Sequence, residues 1–265
     1  MVNQDGDHSV MTQKSSSGKQ REIQMRDDLF LRVARDILLE DGYHGLTMAR
    51  IASVTRFSKG TLYNRFTCKE DLVVELACRC REERIAMVDR AMRYEGRPRE
   101  RMVAIGEAAE HFARLYPESI RVLHIIDAEA VLEKVPEKQR SRLKTYDERV
   151  FAAMADLIEE AISLKDLALP PRTTVREICF ALWALVDGGA SARLGGLPLE
   201  ALGIADSFGA IARGCHYLMD GLGWRPLTTE INYSLVSRQI RDTLLSEEAK
   251  RVTEMQSFQT VLARP

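Results

Sequence analysis

Thr47-Met-Ala-Arg-Ile-Ala-Ser-Val-Thr-Arg-Phe-Ser-Lys-Gly-Thr-Leu-Tyr-Asn-Arg-Phe66 is the stretch that decides the fold. Its spacing predicts two short helices joined by a tight turn. Thr47 and Ser58 stand where N-caps are needed, each with a hydroxyl that can accept a hydrogen bond from an orphaned first-turn N–H. Met48, Ile51, Ala52 and Val54 give the first helix an apolar side. Leu62 and Phe66, four apart, do the same for the second. The opposite side of the second helix carries Lys59, Gly60, Thr61, Tyr63 and Asn64. A short helix that is apolar behind, and cationic, hydroxylic and amide-bearing in front, suits a phosphate-lined groove. This is the layout of a helix-turn-helix whose second helix enters the DNA major groove.

The charge is local. Between Thr47 and Lys69 stand Arg50, Arg56, Lys59, Arg65 and Lys69 with no acidic residue, whereas the chain as a whole carries a net charge of only -1. A basic surface on an otherwise near-neutral protein is the electrostatic footprint of nucleic-acid binding. Downstream, Thr67 and Glu70 form a T-x-x-E capping box, so a new helix is expected there, with Lys69 beside its N-terminus as a phosphate clamp. Upstream, Phe30, Ala34, Ile37 and Leu38 predict a helix from about Arg26 to Asp41, ended by Gly42. The expected core of this head is Phe30, Ile37, Leu38, Ile51, Phe57, Leu62 and Phe66. Residues 1–20 are rich in Ser, Gln, Asp and Gly and read as a flexible arm.

The pattern Gly42-Tyr43, Thr47, Ile51-Ala52, Ser58-Lys-Gly-Thr-Leu-Tyr63, Phe66, Lys69-Glu70 and Leu72 resembles the DNA-binding domain of the tetracycline-repressor (TetR) family, over roughly residues 26–75. The resemblance implies an all-helical homodimeric transcription regulator, most often a repressor, that is released from a palindromic operator by a small-molecule effector. It implies phosphate contacts from Thr47, Tyr63 and Lys69. Lys59, Gly60, Thr61 and Asn64 would lie at or near base edges. Arg50 and Ser58 complete the candidate DNA-binding set. In the turn, where family members often have a small residue or glycine followed by valine, this chain has Arg56-Phe57. That departure leaves one alternative open, a helical ligand-binding or protein-interaction module whose head no longer reads DNA.

The remainder also reads as helical, with no strand alternation of useful length. The expected fold class is therefore all-α, with a three-helix DNA-binding head over residues 21–72 and an effector-binding and dimerisation bundle over 73–224. Its helices are expected at about 70–93, 99–116, 117–135, 137–164, 174–193 and 199–222. Pro117 and Pro136 start two of them by occupying first-turn positions. A helical extension covers 225–265, with Ile231, Leu235, Val252, Met255 and Leu262 as its apolar positions.

Small residues stand where bulky ones are expected in the last two bundle helices. Gly188, Gly189, Ala192, Gly209, Ala212 and Gly214 form the candidate dimer surface, because glycine in a helix costs ~0.5–1 kcal/mol and close helix approach is one return for that cost. His111, Phe112, Tyr116, His124, Asp127, Phe180, Trp183 and Asp187 are the candidate effector contacts, a greasy wall with a few polar groups.

The five cysteines are odd in number and scattered, as in a reduced, cytoplasmic protein. No zinc spacing, nucleophile elbow or phosphate loop is present in the sequence, so neither metal, cofactor nor catalysis is expected. No apolar run reaches membrane-span length.

Overall fold

The computed structural model describes residues 8–128, 135 and 137–262. The described chain is helical throughout, in the order α1 (His8–Gly45), α2 (Met48–Thr55), α3 (Lys59–Tyr63), α4 (Lys69–Ala91), α5 (Pro98–Leu115), α6 (Pro117–Ala128), α7 (Glu137–Ser163), α8 (Val175–Leu194), α9 (Ser207–Gly221), α10 (Tyr233–Thr243) and α11 (Ser246–Leu262). Among the described residues there is no strand. The chain divides into two compact units. One is Met1–Ala77 with Ile125–Gln139, and the other is Cys78–His124 with Arg140–Pro265.

In the first unit α1 buries Phe30, Leu31, Ala34, Ile37 and Leu38. Gly42 leaves the helical path at φ 67°, a left-handed conformation that costs glycine least. The chain then turns Tyr43 and Leu46 inward, both essentially without exposure. Met48, Ile51 and Ala52 of α2, Leu62 of α3 and Phe66 complete this core.

Three sequence expectations fail here, each for a physical reason. Val54 is 56% exposed, because α2 is only eight residues long and its far side faces water. Phe57 is 37% exposed and meets Phe30 in an edge-to-face contact, at 5.4 Å between centroids, rather than being enclosed in the core. The helix of α1 begins at His8 rather than near Arg26. No proline interrupts that stretch, and its Gln, Lys, Arg and Met residues are good helix formers.

The expected capping box is also rearranged. Asp71, not Glu70, accepts from the Thr67 N–H (2.9 Å) and from the Thr67 hydroxyl. Glu70 is drawn away to Tyr43.

The second unit is built on a core from α4 (Met87, Val88, Ala91), α5 (Met102, Ile105, Phe112), α7 (Met154, Leu157, Ile158) and α8 (Ile178, Leu182), closed by Met219, Trp224, Ile240 and Leu245. Pro98 and Pro117 occupy the first positions of α5 and α6. Helix α9 starts at Ser207, not near 199, because Asp206 caps it: its carboxylate accepts the Gly209 N–H at 3.0 Å.

Within this unit the tail forms two helices that pack on α5. Arg241 grips Glu107 through both carboxylate oxygens (3.1 and 3.0 Å), and Arg251 donates to the Tyr116 hydroxyl (3.0 Å). Arg99, wholly buried, pairs with Asp220 at 2.8 Å and donates to the Trp224 carbonyl, with its guanidinium over the Tyr233 ring. No helix among the described residues is long and apolar enough to cross a membrane.

Candidate nucleic-acid interface

Both caps of the helix-turn-helix form. The Thr47 hydroxyl accepts from the Arg50 N–H (3.2 Å), and the Ser58 hydroxyl accepts from the Thr61 N–H (3.1 Å). Arg56 closes the turn at φ 59°, ψ 19°, a left-handed position, with its N–H on the Ser53 carbonyl. Leu62 is fully buried, which pins the five-residue α3 to the head. Lys59, Gly60, Tyr63 and Asn64 are exposed as a result, and Tyr63 stands 48% exposed. Thr61 is half-buried, and its hydroxyl lies 2.8 Å from that of Ser58, so it is held before any ligand arrives.

The cations are less free than the sequence suggests, because their acidic partners come from α1. Arg50 turns back to Asp41 at 2.5 Å, with Glu40 at 4.0 Å. Arg65 pairs at 2.5 Å with Asp27, a nearly buried carboxylate. The Lys69 ammonium sits 3.8 Å from the centre of the Tyr43 ring and donates to the Tyr43 carbonyl at 3.2 Å. The Tyr43 hydroxyl donates to Glu70. Burial first, then the Glu70 carboxylate, push the Tyr43 phenol well above its ordinary value. Burial alone would raise Glu70, but the Tyr43 hydrogen bond, a backbone N–H and Lys69 outweigh it and hold the carboxyl below its usual value. Arg56 and Lys59 are both exposed, and neither has an ion-pair partner among the described residues.

The remaining candidates disperse. His111 and Phe112 are buried in the core of the second unit, with the His111 Nδ1 at 2.8 Å from the Glu107 carbonyl. Tyr116 packs on Phe112. His124 meets Ser191 (3.0 Å), whose hydroxyl donates to the Asp187 carbonyl. The Asp187 carboxylate faces Arg84 at 3.9 Å. Trp183 is half-buried beside Phe151. Phe180, expected on an inward face, is 58% exposed, because the inward positions of α8 are taken by Ile178, Cys179 and Leu182. Asp127 lies on α6, with its side chain outside the described residues.

Among the small residues, Gly189 is filled by Ile211 of the same chain, so it serves α8–α9 packing within one subunit. Gly209 lies under the Asp206 cap. Gly188 and Gly214 face open space, Ala192 is half-buried, and Ala212 is exposed.

Sequence reasoning assigned no role to a cavity of about 910 Å³ bounded by α5, α9 and the start of α10. Arg114, Arg213, His216, Tyr233 and Arg241 stand in its wall. The isolated cations and the histidine were the only signals for it, and they are scattered across 128 positions of sequence from Arg114 to Arg241.

The sequence model described as bacterial regulatory proteins, tetR family, matches residues 30–76, which contain α2 and α3 entire. No curated protein matches the chain. Several solved structures share its fold. A tetR-family regulatory protein from Rhodococcus RHA1 is 15% identical, with a TM-score of 0.60, over 75% of this chain and 97% of that one. A TetR-family regulator from Agrobacterium tumefaciens is 23% identical, with a TM-score of 0.56, over 74% and 97%. The ketosteroid transcriptional regulator KstR2 of Mycobacterium tuberculosis is 17% identical, with a TM-score of 0.56, over 74% and 94%. At these identities the likeness is one of fold, and the family rests on the capped helix-turn-helix that the sequence model matches. Residues 30–76 carry the sequence signature of the tetR family of bacterial regulatory proteins, on a fold shared with TetR-family structures.

Proposed function

We propose that this regulator works as a homodimeric repressor of a palindromic operator, released by a small-molecule effector. The observation that carries the reading is α3: a short helix capped by Ser58, fixed by a buried Leu62, with Lys59, Gly60, Tyr63 and Asn64 outward. Tyr63, Thr47 and Lys69 take phosphates, which sets register. Lys59, Gly60, Thr61 and Asn64 face base edges, which sets sequence preference. Arg50 and Ser58 support the same face.

Dimerisation is supported by an outward apolar surface on α8 and α9. Phe180, Leu185 and Tyr217 are 58%, 40% and 69% exposed, and a Cβ added at Gly188 or Gly214 would meet nothing within 4 Å. A twofold contact of ~1,200–2,000 Å² would cover such a surface. Two heads then span half-sites about 34–36 Å apart. An effector that favours a different spacing by ~1–3 kcal/mol would change affinity roughly 5- to 150-fold.

The test is a mobility shift of the full chain against the DNA upstream of its own coding region, beside light scattering for mass. Salt-sensitive binding by a species of twice the chain mass is expected. A lone subunit, or no shift at low salt, contradicts the reading.

A further inference from the structure

Arg50 belongs to the candidate DNA-binding set, yet its guanidinium is engaged by the end of α1. Asp41 Oδ2 lies 2.5 Å from one of its terminal nitrogens, and Glu40 Oε2 lies 4.0 Å from the other. The backbone of Arg50 is held separately, through its N–H on Thr47, so the side chain alone chooses between partners.

A second observation points the same way. Gly45 sits directly beneath the pair: a Cβ there would fall on the Asp41 Cβ and lie 3.7 Å from Arg50 Nη1. The missing side chain at 45 leaves the carboxylate room to reach the guanidinium.

The position of Asp41 is otherwise unfavourable. It closes the helical run of α1 just before Gly42, where a negative charge opposes the helix dipole. The pair is also half exposed, with side-chain accessibilities of 40% and 46%, so it contributes little to folding.

We propose that Asp41, assisted by Glu40, competes with DNA phosphate for Arg50, and so sets an upper limit on how tightly this head holds duplex of any sequence. The inference rests on the reading of α2 and α3 as the DNA-facing elements. When Arg50 swings to a phosphate, Asp41 is left bare and takes up a cation from solution. That uptake cancels the counterion released by the new phosphate contact, and Arg50 then adds almost nothing to the salt dependence. The consequence is a weaker sequence-independent hold, because a head with fewer free cations makes fewer phosphate contacts on any duplex.

The experiment is a double-mutant cycle on the full chain, with binding to generic duplex and to a selected operator fragment measured across KCl concentrations. The proteins are wild type, Asp41→Asn, Arg50→Gln and the pair together. Asp41→Asn is expected to steepen the plot of log K against log salt by up to ~0.9 per head, a gain of roughly three- to fourfold per head when salt falls fourfold. With Arg50→Gln present, Asp41→Asn is expected to have no further effect on slope. Gly45→Ala, which displaces Asp41 without changing any charge, is expected to steepen the slope in the same direction.

An unchanged slope in Asp41→Asn overturns the proposal. So does an equal steepening with and without Arg50, which would make Asp41 a diffuse charge rather than a competitor. Failure of the wild type to bind any duplex at low salt is a different result, and it would remove the DNA-facing reading itself.

Discussion

The Tyr43 hydroxyl donates to the Glu70 carboxylate, joining the end of α1 to the first turn of α4 around a phenol ring that is 1% exposed. The same ring lies under the Lys69 ammonium. The bond favours charged Glu70, whose pKa lies below its ordinary 4.5 in the folded state. Its stabilisation is therefore fully present above pH 4.5 and is lost as pH falls through the folded value. Tyr43→Phe should cost about 1 kcal/mol at neutral pH and flatten the acid limb of the stability curve, as read by urea unfolding at several pH values. Tyr43→Ala should cost more, ~3–5 kcal/mol, through the cavity it leaves.

Arg56 occupies a left-handed turn position at φ 59°. A side chain in that region carries about 1–2 kcal/mol of strain, and glycine offsets part of the relief with ~0.5–1 kcal/mol of added unfolded-state entropy. Arg56→Gly should therefore leave the melting temperature unchanged or slightly higher. Arg56→Val, β-branched and poorly suited to this conformation, should lower it. Thermal unfolding of the three proteins side by side checks the order.

His216 has a buried Nδ1 with no hydrogen-bond partner among the described residues and a ring 4.5 Å from that of Tyr233. Burial, and then the Arg99 charge, hold its pKa below the ordinary 6.5 despite the opposing pull of Asp220 and Glu107. The neutral form is favoured on folding, so this contribution is present above pH 6.5 and is lost as pH falls through the folded value. His216→Phe keeps a ring against Tyr233 and removes the titration. Its stability should depend less on pH than that of the wild type between about pH 7 and 5. Parallel slopes in that window would show that His216 does not titrate in it.

Phe180 projects 58% of its surface from α8. If a partner covers it, Phe180→Asp places a charge in a desolvated contact and should convert dimer to monomer at micromolar concentration. The helical content should be unchanged, because Phe180 is outside the core of its own subunit. Light scattering and circular dichroism separate the two effects.

The parts of the head that local chemistry determines were legible in the sequence. Thr47 and Ser58 cap as their hydroxyls require, and Leu62 is buried where the four-residue spacing to Phe66 puts it. What long-range contact determines was not. Asp27, Glu40 and Asp41 of α1 pair with Arg65 and Arg50 from later in the chain, so an acid-free run from Thr47 to Lys69 overstates the free charge. Thr67 had two acidic residues within reach, and the choice of Asp71 depended on Tyr43 claiming Glu70. Helix α9 starts later than its apolar run suggests, because that run begins before the Asp206 cap. Residue type does not say which face of α8 looks inward, and Phe180, an aromatic expected inside, lies on the outer one.

The most direct measurement is selection of bound fragments from a pool of random duplexes, first with the wild type and then with Thr61→Ala and Asn64→Ala. The account predicts a twofold-symmetric site with half-site centres about 34–36 Å apart, and a changed base preference in the two variants at little cost in non-specific affinity. Recovery of the same sequences with equal affinity when Lys59, Thr61, Tyr63 and Asn64 are all alanine would contradict it, as would no enrichment at low salt.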